Sequence, residues 1–391
     1  MGGFGFTEAQ EMLRNEAKRF AQTEIAPSVK EWAKHGYNPE EIPRETEQKI
    51  IDMGWTALNL PEKYGGQKID FVSLGVITEE LCKVDIFFGI YPQRNYLPSI
   101  VLEKLPTEVQ DEWYPHLINI TKRPPCYGFT EAGCGSDAVA IQTRAVREGD
   151  YYIVNGEKQP VSFIGIDPLS AIIASVKTDP TAGARGVSLL WIPMDLPGIT
   201  RAPISWMGQR ESRPGIVNFD NVRVPVKYLI GEEGKGFYEV MGLFDVMRVL
   251  GCALKHLAPA EASLEEAIAW AKQRTAFGQP IAKFEGVSFK IADHYANIQA
   301  AKLLCYRTLW LRDQGLRHTK ESAVAKAFSI PAAINALYDC MIIFGHVGYS
   351  EDYPIEKRLR DAMGELFGDG TPQILKLVIA RELIGKEAIP Y

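Results

Sequence analysis

Between Tyr152 and Val224 the chain carries four β-branched or alternating stretches, Tyr152–Val154, Ala171–Val176, Val187–Ile192 and Ile216–Val224, with no helical period between them. Strands that follow one another without crossover helices imply an antiparallel sheet and argue against a doubly wound α/β unit. On either side of this block the apolar residues recur at helical spacing instead. The chain therefore reads as helices, then a sheet, then helices.

Thr7 and Gln10 have the spacing of a capping box, and Met12, Ala17, Phe20 and Ala21 continue at helical intervals to about Val29. Further periodic runs cover 45–54, 72–83, 95–104 and 107–120, punctuated by Pro61, Pro92 and Pro106. Residues 1–122 form a predicted α-helical domain that ends at the Arg123-Pro124-Pro125 break. A middle β-domain follows over 123–235, with Asn155-Gly156 as a hairpin-turn signal. It closes at the surface turn Gly231–Gly236. Helical runs over 237–273, 284–313, 319–346 and 372–386 then predict a C-terminal bundle within 236–391. The predicted fold class is α+β.

Composition removes several functions. The 391 residues hold 43 Lys plus Arg against 49 Asp plus Glu, a net charge of -6, so no basic field draws in nucleic acid or an anionic membrane. The six cysteines show no C-x-x-C pair, which predicts reduced buried thiols and a cytoplasmic protein without disulfides or a thiolate metal site. Six scattered histidines form no metal cluster, so no metal is expected. Residues 1–20 turn polar within a few positions, and neither a signal peptide nor a membrane span is expected there. G-x-G-x-x-G, H-E-x-x-H and G-x-S-x-G are all missing, and Gly236 stands where a phosphate loop needs a hydroxyl after Lys235.

Four segments carry the chemistry: Tyr127-Gly128-Phe129-Thr130-Glu131-Ala132-Gly133-Cys134-Gly135-Ser136-Asp137, Arg274-Thr275-Ala276-Phe277-Gly278-Gln279-Pro280-Ile281, Tyr353-Pro354-Ile355-Glu356-Lys357 and Gly368-Asp369-Gly370-Thr371. With them, essentially the whole chain resembles the acyl-CoA dehydrogenases. The resemblance implies that family's fold, with an N-terminal helical domain, a middle antiparallel β-domain and a C-terminal four-helix bundle. It implies FAD as cofactor, and removal of an α-proton and a β-hydride from a CoA thioester, the hydride going to the flavin. It also implies a homotetramer, a dimer of dimers, that passes electrons to an electron-transferring flavoprotein.

Carried over residue by residue, the resemblance puts Thr130 and Ser136 on flavin and the CoA arm, and Ser162 on flavin. Arg274 and Phe277 go to the FAD pyrophosphate of a neighbouring subunit, and Gly345, Gly348 and Thr371 to FAD as well. Asp245 and Arg248, three apart on one helix face, go to CoA, and Gly370 to the substrate. Residue chemistry alone leaves plainer readings open: a polar turn at 127–137, a carbonyl cap at Arg274, a surface ion pair at Asp245 and Arg248.

The departures from the family pattern are informative. Asp369 stands where the family's commonest base is Glu, and Met247 occupies the alternative Glu position, which leaves Asp369 as the base. Thr371-Pro372 reads as an N-cap with Pro in the first turn, whose dipole would lower the Asp369 pKa while burial would raise it. Pro160 replaces a flavin-covering Trp, Phe163 is the candidate substitute for that aromatic cover, and His346 stands where a Gly is usual. Tyr91 and Arg94 fall where the acyl pocket is lined. A shorter base and a wide aromatic pocket suit a cyclic or α-branched acyl group such as cyclohexanecarboxyl-CoA. Arg94 alternatively suits the free carboxylate of a glutaryl-CoA-like thioester, oxidised or decarboxylated. A non-oxidising flavin-containing lyase and a CoA-thioester binding protein without redox chemistry are the remaining alternatives.

Overall fold

The computed structural model describes residues 5–168 and 170–388, so residues 1–4 of the amino-terminal segment lie outside the described residues. The expected capping box is present: the Thr7 hydroxyl accepts from Gln10 N at 3.2 Å, and the Gln10 side chain accepts from Thr7 N at 3.0 Å. It satisfies two amides that a helix start otherwise leaves without partners. Helix α1 (Glu8–Phe20) continues through a π-turn at Ala21–Ile25 into α2 (Ala26–Lys34), beyond the expected end near Val29. Ala17, Phe20, Ala21, Ile25 and Trp32 form its buried stripe.

Then come α3 (Arg44–Asp52), α4 (Phe71–Cys82), α5 (Ile86–Gly89), α6 (Tyr96–Leu102) and α7 (Thr107–Asn119). Asp70 caps α4 through Ser73 N at 2.8 Å, and Asp313 caps it a second time, accepting from Phe71 N at 2.7 Å and Val72 N at 3.1 Å. A residue from the carboxy-terminal part of the chain therefore completes a helix of the first domain.

The sheet contains β1 (Cys126–Gly128), β2 (Arg144–Glu148), β3 (Tyr151–Val161), β4 (Ala171–Lys177), β5 (Val187–Pro193), β6 (Ile199–Pro203), β7 (Gly215–Pro225) and β8 (Leu229–Ile230), in the order β6-β7-β3-β2-β4-β5-β8. Most pairings are antiparallel, as expected, but β1 and β2 both run parallel to β4. Cys126 to Gly128 pair with Ile172 to Ala174, and Arg144 pairs with Lys177, so β1 and β2 lie end to end along one neighbour. The 129–143 segment is an excursion from that line, which no local pattern reveals.

Asn155-Gly156 is not a hairpin turn. Strand β3 runs through it, and the turn before β3 uses Gly149, at φ +59°. Gly156, at φ +143°, takes up a register shift against β7, and a Cβ there would lie 2.6 Å from Thr143 Cα. Asn155 instead bonds across the pair, its side chain accepting from Asn221 N at 2.8 Å.

The last part comprises α8 (Gly236–Met247), a π-helical stretch Arg248–Leu254, α9 (Lys255–Gln273), the hairpin β9 (Thr275–Ala276) and β10 (Gln279–Pro280), α10 (Glu285–Asp313), α11 (Thr319–Phe344), α12 (His346–Tyr349), α13 (Ile355–Gly364) and α14 (Pro372–Ile384). The long members, α8 continuing into α9, then α10, α11 and α14, make the four-helix bundle. α11 is long and apolar enough to cross a membrane by length and composition, but it packs against α9, α10, α13 and α14 inside the bundle. Gly75 lets α4 meet α10 closely, since a Cβ there would stand 2.7 Å from Leu309 Cδ1.

Candidate active site

Asp369 sits in the turn between α13 and α14 with its backbone in the left-handed region, at φ +47°, followed by Gly370 at φ +104°. A non-glycine residue keeps that conformation only where its surroundings hold it. Here three consecutive carbonyls are held by two cations. Lys326 Nζ donates to the carbonyls of Gly368 and of Gly370, the latter at 2.7 Å, and Arg248 Nε donates to the carbonyl of Asp369 at 3.1 Å. The Thr371 hydroxyl then accepts from Ile374 N at 3.3 Å, with Pro372 in the first turn of α14, the cap the sequence predicts.

The Asp369 carboxyl is half-buried, and Cys252 Sγ donates to its Oδ2 at 3.3 Å. Burial and the neighbouring Glu365 charge push its pKa up, against the pull of Lys326, the Cys252 hydrogen bond and Arg248. The direction is the one that burial was expected to give. Although its own burial opposes ionisation, Glu365 is held well below its usual range by Lys255, whose Nζ lies 2.6 Å from Oε1, and by His256 at 3.4 Å. A fixed negative charge thus stands behind Asp369.

Arg248 and Asp245 are both buried and engaged within the protein. Asp245 Oδ1 accepts from Arg248 Nη1 at 3.1 Å, Oδ2 from Thr319 at 2.6 Å, and its carbonyl from Ser322 at 2.6 Å. The pair therefore joins α8, α11 and the Asp369 turn, so the surface reading of these two residues is excluded.

Gln93 and Met247 converge on Gly251, where a Cβ would lie 2.9 Å from Met247 Cε and 3.8 Å from Gln93 Nε2. Tyr127 stacks on Phe129 at 6.1 Å, and Phe129 meets Phe244 edge-on at 5.8 Å. Burial and then the Asp369 charge raise the Tyr127 pKa, while Arg94 pulls it down, so this one hydroxyl senses both. The Arg94 guanidinium is buried, lies 4.0 Å over the Tyr91 ring, and leaves Nη1 without a hydrogen-bond partner. Tyr91 itself is fully buried and donates to Glu47, which Arg123 grips through both oxygens at 2.7 and 3.1 Å. Tyr91 is thus the seat of Arg94. Arg123 Nε and Gln93 Oε1 are also buried without a partner, but Arg123 has the Glu47 carboxylate, whereas Arg94 has no ion-pair partner among the described residues.

The 129–143 excursion is fastened by Glu131, a residue whose role the sequence reading missed. Its carboxylate accepts from Gln142 N at 2.6 Å, Thr143 N at 3.0 Å and Lys158 Nζ at 2.7 Å. Burial lowers the pKa of Lys158, and the Lys158 contacts overcome burial to hold Glu131 low. Gln159 N donates to the carbonyl of Thr130 at 3.0 Å, so the Thr130 loop lies beside the end of β3 that leads to Ser162. Thr130 and Ser162 are half-buried and Ser136 is exposed. The half-buried Phe163, at φ +67°, has its ring centroid 6.4 Å from that of Phe87.

Arg274, Phe277, Gly345 and Gly348 form a separate group. Trp270 stacks on Phe344 at 4.9 Å, which brings the end of α9 to the end of α11. Arg274 is exposed and Phe277 is 97% exposed, at the tip of the β9–β10 hairpin. Gly345, at φ +68°, is exposed, whereas Gly348 is buried where a Cβ would lie 2.7 Å from Phe344 Cβ. Along α11, Gly345 is about 28 Å from Lys326 at ~1.5 Å per residue, so one chain does not bring this group to Asp369. The Tyr353–Lys357 segment is structural: Lys357 is buried, pairs with Asp361 at 2.7 Å and with Glu211, and lies 3.9 Å from Asp85, the cap of α5.

Cys252, Lys326 and Glu365 were also not singled out from sequence. A lone lysine in the apolar run Ala323-Val324-Ala325-Lys326-Ala327-Phe328 is the one signal that could have marked any of them.

Three family models match the chain: the acyl-CoA dehydrogenase N-terminal domain over residues 7–120, the middle domain over 126–222 and the C-terminal domain over 234–384. A probable acyl-CoA dehydrogenase, YngJ of Bacillus subtilis, is 34% identical over 383 residues, covering 97% of this chain and 99% of the relative. The CarC subunit of the caffeyl-CoA reductase-Etf complex of Acetobacterium woodii is 32% identical over 391 residues, covering 97% and 100%. The solved glutaryl-coenzyme A dehydrogenase in complex with glutaryl-CoA superposes with a TM-score of 0.90 at 27% identity, covering 99% of this chain and 98% of that one.

Proposed function

The chain belongs to the acyl-CoA dehydrogenase family of FAD-dependent oxidoreductases acting on acyl-CoA, and from that premise we propose that Asp369 is the base that takes the α-proton of a cyclic or α-branched acyl-CoA. The setting of Asp369 carries this reading: a half-buried carboxyl with a raised pKa, in a turn held by two cations. A raised pKa makes a carboxylate a better acceptor for a carbon-bound proton. Asp is one methylene shorter than Glu and leaves more room for a bulky α-carbon, and the Tyr127, Phe129 and Phe244 rings offer flat apolar walls to a ring substituent.

FAD, when bound, supplies the hydride acceptor. The half-buried hydroxyls of Thr130 and Ser162, on segments that meet where Gln159 N donates to the Thr130 carbonyl, and the open backbone at Gly133 fit the polar edge of such a group. The exposed Arg274 and Phe277 suit a second copy of the chain, and we extend the proposal to a cytoplasmic homotetramer that delivers electrons to an electron-transferring flavoprotein. The caffeyl-CoA reductase relative, named as part of an Etf complex, supports that partner. Light scattering of the purified protein tests the tetramer.

A second reading of the acyl group rests on Arg94, whose buried Nη1 lacks a partner. A buried cation without a counter-charge is costly unless a ligand supplies one. A glutaryl-CoA-like carboxylate would do so, and the glutaryl-CoA dehydrogenase likeness supports it. Adding cyclohexanecarboxyl-CoA, glutaryl-CoA and butyryl-CoA separately to the anaerobic holoenzyme, while following the flavin absorbance, separates these readings. Bleaching by the cyclic thioester is expected, and bleaching by glutaryl-CoA alone would replace it with the Arg94 reading. No bleaching by any of the three would overturn both.

A further inference from the structure

We propose that Cys252 is a positioning residue for Asp369: its thiol fixes the carboxyl by donating to Oδ2, leaving the other oxygen for the proton. This rests on the reading of Asp369 as the base.

The contact is built rather than incidental. Arg248 and Cys252 are four residues apart in the π-helical stretch, so one turn grips Asp369 twice, Arg248 on the backbone carbonyl at 3.1 Å and Cys252 on the side chain at 3.3 Å. π-helical insertions displace side chains from their regular helical positions and recur at functional sites. Among the described residues, only two of the six buried thiols have a side-chain hydrogen-bond partner: Cys305 bonds Ser329 at 3.6 Å, and Cys252 bonds Asp369. Burial raises the Cys252 pKa well above its ordinary value, so the thiol remains a protonated donor across the working range.

The other charged or titratable groups around the carboxyl come from four elements: Glu365 after α13, Lys326 on α11, Arg248 in the π-stretch and Tyr127 on β1. Lys326 and Arg248 reach only backbone carbonyls of the turn. Among the described residues Cys252 alone makes a side-chain hydrogen bond to the carboxyl, so rotation about the Asp369 Cβ–Cγ bond is left to the thiol.

The experiment compares holoenzyme of the wild type, C252A, C252S and D369N in two readouts. The first is infrared titration of the protonated-carboxyl band that D369N deletes, which needs no turnover. The second is the pH profile of flavin bleaching with cyclohexanecarboxyl-CoA, glutaryl-CoA and butyryl-CoA. C252A is expected to raise the carboxyl midpoint by about half a pH unit or more, because a donor to the charged form is lost. C252S, whose hydroxyl is the stronger donor, is expected to return the midpoint to the wild-type value or below it. The acid limb of bleaching should move with the midpoint. An Asp369 midpoint identical in wild type and C252A would overturn the proposal. Full bleaching by D369N would instead overturn the assignment of the base, while the infrared midpoint still reports on the thiol contact.

Discussion

Arg248 holds Asp369 by its backbone: Nε donates to the Asp369 carbonyl at 3.1 Å while Nη1 pairs with Asp245 at 3.1 Å. The guanidinium makes the two bonds from two nitrogens held in a fixed fork, whereas an ammonium has all its donors on one nitrogen and loses that geometry. R248K is therefore expected to lower kcat by about tenfold or more, for the loss of one charge-assisted hydrogen bond, with little change in KM. A rise in KM alone would return Arg248 to CoA binding.

Lys326 bridges the Gly368 and Gly370 carbonyls across the left-handed Asp369. K326M removes both hydrogen bonds and releases the turn, and a misplacement of about 1 Å costs roughly 10²-fold in kcat. Flavin absorbance per mole of protein is expected to fall by much less than kcat, because Thr371 adjoins the released turn whereas Thr130 and Ser162 lie in loops of the sheet domain. Loss of flavin in step with activity would show that Lys326 supports the whole fold instead.

The raised pKa of Asp369 has a direct consequence for pH dependence. Below its midpoint the carboxyl carries a proton and accepts none, so kcat/KM falls on the acid side. That midpoint should lie above the ordinary value of 3.8. D369N is expected to cost about 10²-fold or more, the usual range for a general base. An E365Q variant, which removes the negative charge behind Asp369, should move the acid limb to lower pH. Both follow from kcat/KM profiles.

Glu131 and the fully buried Lys158 pair at 2.7 Å beneath the Thr130 loop. K158M leaves a buried carboxylate without its cation, and breaking such a pair typically costs about 3 to 5 kcal/mol. The double variant E131Q/K158M should recover much of that loss. Because Glu131 is held below its ordinary pKa, its share of the stability is present above that ordinary value and is lost as pH falls through the lowered one. Thermal melts of the three proteins at pH 7 and pH 4 check both statements.

Much of the local structure was legible because its determinants are near neighbours. Thr7 with Gln10 and Thr371 with Pro372 specify helix starts within one turn of chain, and both caps form as expected. Asn155-Gly156 shows the limit of that reasoning. A glycine beside Asn favours a tight turn in isolation, but here it accommodates a register shift inside a strand whose pairing with β7 outweighs the local preference.

At the site, Asp369 was readable as the remaining carboxylate at a recognisable position, whereas its partners were not. Cys252 and Arg248 lie 117 and 121 residues away from it in the chain. The sequence by itself determined the order of helices, sheet and bundle, since periodicity and caps are properties of adjacent residues. Only the tertiary structure decided that β1 and β2 lie end to end along β4, that Asp245 and Arg248 turn inward, and that Arg94 keeps a free buried donor. Those outcomes depend on which distant surfaces exclude water together, and burial of a charge is settled only when the last of those surfaces is in place.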